Sequence, residues 1–185
     1  MIKVETVLYQ QASLKIKKQI NDLLQDIWPS VNDSEAHDSD LVVQSFYVMI
    51  DNRIVSYAAV IRLQVIIKDK LYQIGGLSCV ATLPSFQGQG LGCKIVARAT
   101  KWMEDNLDFG VFTCAPDLVD FYYRAGNWKA MSNVVLIGNH DNDALSSRNL
   151  DVIVLMRIFS KKALSNYEEI TNSIIYLGFS KGQFI

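Results

Sequence analysis

Residues 41–82 constrain the fold of this chain more than any other stretch. Three runs, 41–50, 54–67 and 71–82, are rich in β-branched and aromatic residues, and only the polar turns DNR and KDK separate them. Strands joined by turns this short pair as antiparallel neighbours, so the three runs predict a meander. The third run leads directly into Pro84 and then SFQGQGLG, Ser85 to Gly92. Residues 90–106 follow with Leu91, Ile95, Val96, Ala99, Trp102 and Met103 on one side of a helix. A glycine turn before a helix is either a plain connection or a cradle for phosphate. The first helical amides lack intrahelical partners, and glycine lets the backbone come close to a bulky group.

The flanking segments alternate between strand and helix patterns. Apolar residues at every second position over 2–10 predict a strand, and the spacing of Leu14, Ile16, Ile20, Leu23, Leu24 and Ile27 predicts a helix over 11–27. WPSVNDSEAHDSD reads as a loop. Further on, FGVFTC (109–114) predicts a strand, and PDLVDFYYRAG (116–126) a short helix with Pro116 in its first turn and Gly126 at its end. Strands are expected over 128–138 and 150–159, a helix around 161–170 and a short apolar stretch near 174–179. The order describes one α+β domain over residues 1–185.

Half of the 185 residues are hydrophobic and 20% are charged, which is ample for a packed core. With a net charge of -1 and no long Lys/Arg run, the chain lacks the electrostatic footprint of a nucleic-acid binder. Its longest apolar stretches, such as VVLIG and VIVLM, are too short to span a bilayer, and MIKVETVLYQ does not read as a secretion signal. Cys79, Cys93 and Cys114 have no metal-ligand spacing, and His37 and His140 lie far from them in sequence. No metal is therefore expected, and a cytoplasmic protein with reduced thiols is the simplest account.

Two common phosphate motifs do not fit the glycine turn. A Walker loop needs a glycine five positions after its first, where Gly88 is followed by Cys93; a dinucleotide fingerprint also needs a glycine at Cys93, and a parallel βαβ unit. Gln87-Gly88-Gln89-Gly90-Leu91-Gly92 instead matches Q/R-x-x-G-x-G/A. In this it resembles the pyrophosphate loop of the GCN5-related N-acetyltransferase (GNAT) superfamily, which stands after the fourth strand and at the mouth of a helix. DFYYRAGNW (120–128) resembles the second signature of that family, a tyrosine, here Tyr122, four residues before a glycine. Together the two signatures and the element order cover most of 41–138.

The resemblance implies a GNAT fold, a mixed and mostly antiparallel central sheet with helices on both faces. It implies acetyl-CoA as co-substrate, with its pyrophosphate on the amides of Gln87, Gly88, Gln89, Gly90, Leu91, Gly92 and Cys93. The pantetheine arm would lie along Val80, Ala81 and Thr82 like an added strand. Transfer to an amine needs a neutral nucleophile, a polarised carbonyl and a protonated leaving thiolate. The resemblance gives the last task to Tyr122. Ser78 or Asp120 could act as base through water. An asparagine that the family often has seven residues before the tyrosine is Ala115 here, and Thr113 and Asp117 are the nearby substitutes. The cysteines read as small apolar fillers.

The superfamily draws its acceptor pocket from the loop between its first two helices and from C-terminal segments. In this chain that loop carries Asp33, Glu35, Asp38 and Asp40. It is either a solvated loop or a holder of a polycationic amine. SYAAVIRL (56–63), the spacing of Asp33 and Asp38, and VIVLMRI resemble the aminoglycoside 2'-N-acetyltransferases, although Ser78 stands where that branch tends to have a glutamate. The expected substrate contacts are Asp33, Asp38 and Ser78, for an aminoglycoside-like or polyamine acceptor. The alternatives are a peptide or protein amine as acceptor, or a non-catalytic acyl-CoA-binding module. Homodimers are frequent in the superfamily, and the apolar run 150–159 could pair across one.

Overall fold

The computed structural model describes residues 2–29 and 35–185. The predicted meander is present as β2 (Val42–Ile50), β3 (Arg53–Ile67) and β4 (Lys70–Thr82), paired antiparallel. Its two turns are held by Asp51-Asn52 and Lys68-Asp69, all four with positive φ. That geometry matches the right-handed twist of the flanking strands, and Asn and Asp adopt it more readily than most residues.

With β1 (Glu5–Leu8), β5 (Phe109–Cys114), β6 (Lys129–Ala130) and β8 (Ile153–Ile158), the meander forms one sheet in the order β1-β2-β3-β4-β5-β8-β6. Only β4 and β5 are parallel in it. They pair at Ile74–Phe109, Gly75–Gly110 and Gly76–Val111, and then part. Beyond this fork β4 continues to Thr82 with no strand on its β5 side among the described residues.

Each face of the sheet carries its own core. Tyr57, Ala59 and Ile61 point to the face covered by α1 (Leu14–Ile27) and the C-terminal segment, whereas Ala58 and Val60 point to α2 (Leu91–Asn106) and α3 (Val119–Gly126). This is the α+β arrangement expected, with helices on both faces. Glycines at the fork let α2 lie close. A Cβ on Gly75 would stand 2.7 Å from Met103 Sδ, and one on Gly110 would stand 2.5 Å from Trp128. Trp128 is fully buried and donates from Nε1 to Thr100 Oγ1 at 2.9 Å, so it has little room to yield.

Several boundaries differ from the sequence pattern. The first strand ends at Leu8 because Tyr9–Gln11 turn as a 3-10 helix, and α1 starts after Ser13, whose hydroxyl accepts from the Ile16 amide. The run 128–138 is two strands rather than one. β6 joins the main sheet, while β7 (Val135–Ile137) pairs with β9 (Ile174–Tyr176) in a second, two-stranded sheet. The tail helix is likewise two, α4 (Lys161–Leu164) and α5 (Tyr167–Thr171). β8 lies between β5 and β6, and β6 covers its outer edge at Leu155 and Met156.

Gly110→Ala forces the new methyl into Trp128. It should destabilise the fold by about 1–3 kcal/mol, the usual cost of overpacking, read from the midpoint of urea denaturation.

Candidate active site

The fork becomes a site because β4 carries a bulge just past it. Ala59 pairs with Ser78 and Tyr57 with Ala81, so two residues of β4, Cys79 and Val80, oppose Ala58 alone. Cys79 takes φ 51° to achieve this. A bulge breaks the strict alternation of faces. Cys79 packs with the α1-side core and Val80 with the α2-side core, while Thr82 lines the α2 side.

On the α2 side a cavity of about 470 Å³ opens between β4, the glycine turn and α3. Val80, Thr82, Gln87, Gly88, Gly90, Leu91, Gly92, Cys93 and Tyr122 all line it. Gly88 and Gly90 have φ of 75° and 76°, the left-handed region that glycine enters without penalty. The first bond into α2 runs from the Lys94 amide to Gly90, so the amides of Leu91, Gly92 and Cys93 have no helical acceptor. The Gln87 amide is engaged with the Pro84 carbonyl at 3.2 Å, and the Gln87 side chain donates to the Thr82 carbonyl at 3.0 Å. Gln89 is exposed beside the cavity. The Ala81 side chain is buried on the opposite face.

Tyr122 projects from α3 into the wall of this cavity. Its ring meets Phe112 and Phe121 edge to face at 4.7 and 4.9 Å. Burial pushes its hydroxyl well above the ordinary phenol range, and the nearby Cys114 thiol adds to the effect. Burial and Asp117 push the Cys114 thiol itself up to about 11. Both groups therefore hold their protons at neutral pH. Tyr123 is exposed, as is Asp120, and neither lines the cavity.

The α1 side of the fork carries a second cavity, of about 410 Å³. Glu35, His37 and Asp38 line it from the loop, Ile61 from β3, and Phe179, Gln183 and Phe184 from the C-terminal segment. Ile61 pairs with Gly76, the last β4 residue before the fork. The Gln183 amide donates to the Asp38 carboxylate, and Ile185 lies against Gly76. Ser78 is on this same face, next to the fork. Thr113 is also turned to this face, where its hydroxyl donates to the main-chain oxygen of Ile185; it is therefore no substitute for the missing asparagine on the α2 side. Asp33 lies outside the described residues.

His37 stands in the acidic loop, where the sequence suggests a solvated side chain or a pH-sensitive contact. It is 6% exposed rather than solvated, with Nε2 2.7 Å from the Tyr57 hydroxyl, which is in turn 2.8 Å from Ser45 Oγ. Nothing in an acidic, loop-like stretch signals a buried histidine. Burial lowers its pKa to about 4.

A family model described as an acetyltransferase (GNAT) domain matches residues 9–131. The chain belongs to the GNAT acetyltransferases. Its fold is similar to Escherichia coli ElaA, at 13% identity and a TM-score of 0.59 over 85% of this chain and 99% of ElaA. It is similar also to an acyl-CoA N-acyltransferase from Pseudomonas aeruginosa, at 12% identity and a TM-score of 0.60 over 85% of this chain and 99% of that one. YhbS, an E. coli N-acetyltransferase solved with CoA, aligns at 12% identity and a TM-score of 0.59 over 95% of this GNAT chain and 89% of its own. At such identities the likeness is one of fold. The sequence has no match among the curated proteins.

The depressed pKa of His37 has a thermodynamic consequence. The unfolded chain binds this proton near pH 6.5 and the folded chain only near 4, so stability falls as pH drops through that interval. The loss should reach about 3 kcal/mol at its lower end. Urea denaturation from pH 7 to pH 4 checks it, with His37→Gln expected to lack this share of the decline.

Proposed function

We propose that this GNAT chain transfers an acetyl group from acetyl-CoA directly to a primary amine of a small cationic acceptor. The observation that carries this reading is the pair of cavities on opposite faces of one fork. One is built of free helix amides and an open strand edge, and the other is rimmed by carboxylates.

On the α2 side the amides of Leu91, Gly92 and Cys93 are suited to a pyrophosphate, and the helix dipole adds about 0.3–1 kcal/mol to each anion contact. The open edge of β4 at Val80, Ala81 and Thr82 can pair with an amide-bearing arm as with an added strand. Acetyl-CoA supplies the activated acyl group when bound there. Tyr122 then holds a proton at its hydroxyl, beside the bulge, ready for a departing sulfur. Its raised pKa keeps that proton in place through the neutral range.

On the α1 side Glu35 and Asp38 favour a cationic ligand, whether amino-sugar or polyamine. Phe179, Gln183 and Phe184 of the C-terminal segment wall this cavity beside the two carboxylates.

Release of free CoA thiol, followed with an aminoglycoside, a polyamine and a short lysine peptide, tests the reading. Dependence on one of the first two supports it, and release with the peptide alone overturns the choice of acceptor. Tyr122→Phe should lower kcat about 10²-fold or more, the usual scale of general acid catalysis. Its affinity for CoA, measured by calorimetry, should stay unchanged.

A further inference from the structure

We propose that the C-terminal segment is a strap across the α1-side mouth of the fork, and that a cationic acceptor releases it by taking Asp38 from Gln183. This rests on the transfer reading above, in which the amine approaches the open edge of β4 from the α1 side, and gives that approach a gate.

The strap touches both strands where they part. The Ile185 side chain lies against Gly76 of β4, where an added Cβ would stand 2.6 Å from its Cδ1. The main-chain oxygen of Ile185 accepts from the hydroxyl of Thr113, which stands on β5 just past Val111, the last residue there that pairs with β4. Ile185 is 9% exposed and belongs to the α1-side core. Gln183 and Phe184, the two residues before it, line the cavity that carries Glu35 and Asp38. One short segment thus runs from the carboxylates to the fork.

The segment is rooted at its start and lightly held at its tip. At the root the Phe179 amide donates to the Gly138 carbonyl at 2.8 Å, and Asn139 Nδ2 donates to the Phe179 carbonyl at 3.1 Å. Gly182 has φ of 83° with nothing within 4 Å of where a Cβ would stand, so backbone conformation rather than space calls for glycine there. Beyond it, among the described residues, the one bond from a main-chain amide is local, from Gln183 to the Ser180 carbonyl at 3.1 Å. The tip is tied to the rest by the Gln183 side chain on Asp38, the Thr113 hydroxyl on Ile185, and the packing of Phe184 and Ile185. Segments held by so few bonds open at low cost.

The bond from Gln183 to Asp38 makes the tip responsive to charge. Its donor is a neutral carboxamide, whereas an ammonium brings a full positive charge to the same carboxylate. Glu35 and Asp38 are both exposed, so an incoming amine can reach them. The amine engages Asp38 fully only once Gln183 has left it. It therefore binds the open state better than the closed one, and that difference in affinity is what shifts such an equilibrium. A neutral acceptor has no such advantage.

A reversible lock tests the strap in the full chain. Ile185 Cγ2 and Cγ1 stand 3.5 and 3.7 Å from the position of a Cβ on Gly76, so a cysteine sulfur in either place is within reach of a second cysteine there, and the obstructing Cδ1 is gone. Turnover is followed as loss of acetyl-CoA thioester absorbance with spermidine and with kanamycin, and mass spectrometry reports the bond. Oxidised Gly76→Cys/Ile185→Cys should lose turnover with both amines by about tenfold or more, keep its CoA affinity by calorimetry, and recover on reduction. Ile185→Cys alone should not respond to oxidation. Gln183→Ala, which loosens the tip, should lower KM for both amines by about threefold to tenfold. An oxidised double variant that turns over as fast as its reduced form overturns the strap and leaves the transfer reading intact. Should that variant fail to fold or to form the bond, unchanged KM values in Gln183→Ala overturn the strap instead. A wild type that binds CoA yet consumes no thioester with either amine overturns both readings.

Discussion

The site exists because two strands separate. After Gly76 and Val111 the parallel pairing of β4 and β5 stops, and β4 runs on for six residues without a strand on that side among the described residues. Backbone N–H and C=O groups left without partners are costly when removed from water. A fork of this kind therefore survives only where something else can engage its edges. Here the fork lies between two cavities and beside a bulge in which Cys79 holds a positive φ. Such a conformation costs about 1–3 kcal/mol and persists only where neighbours impose it. The long β2-β3-β4 meander does so, by fixing the register on both sides of the bulge.

The bulge assigns each face its chemistry. By breaking the alternation it places Ser78 and Cys79 on the α1 side and Val80 and Thr82 on the α2 side. The α2 side is then a site of backbone donors, glycines with left-handed φ and one protonated phenol. The α1 side is a site of carboxylates and one neutral imidazole. The two lie on opposite faces of the sheet, to either side of the point where β4 and β5 part. The C-terminal segment lines the second cavity with Phe179, Gln183 and Phe184.

Much of this architecture is legible in the amino-acid sequence. The meander, α2, β5 and α3 follow from local signals, namely alternation, helical spacing, two-residue turns, and proline and glycine at helix ends. The glycine turn and Tyr122 are legible for the same reason, since their spacing along the chain is short and is itself the signal. Elements whose limits are set by distant partners are not. The run 128–138 is apolar throughout much of its length, yet Lys129–Ala130 pairs with β8 and Val135–Ile137 with β9, and the difference lies in strands that arrive more than twenty residues later. Gly75 and Gly110 read as weak strand residues until α2 and Trp128 are seen to fill the space beside them.

Local sequence suffices for the strand order of the meander, the glycine turn ahead of α2 and the place of Tyr122 on α3, because each is encoded within a few residues of itself. Tertiary packing alone sets where β4 and β5 part, which residues the bulge turns to each face, and that Thr113 faces the C-terminal segment rather than the α2 side. It also sets His37 buried and neutral against Tyr57 instead of solvated in an acidic loop. The physical reason is that burial, and with it the charge state of a histidine, is conferred by surfaces distant in sequence. No pattern of neighbouring residues carries that information.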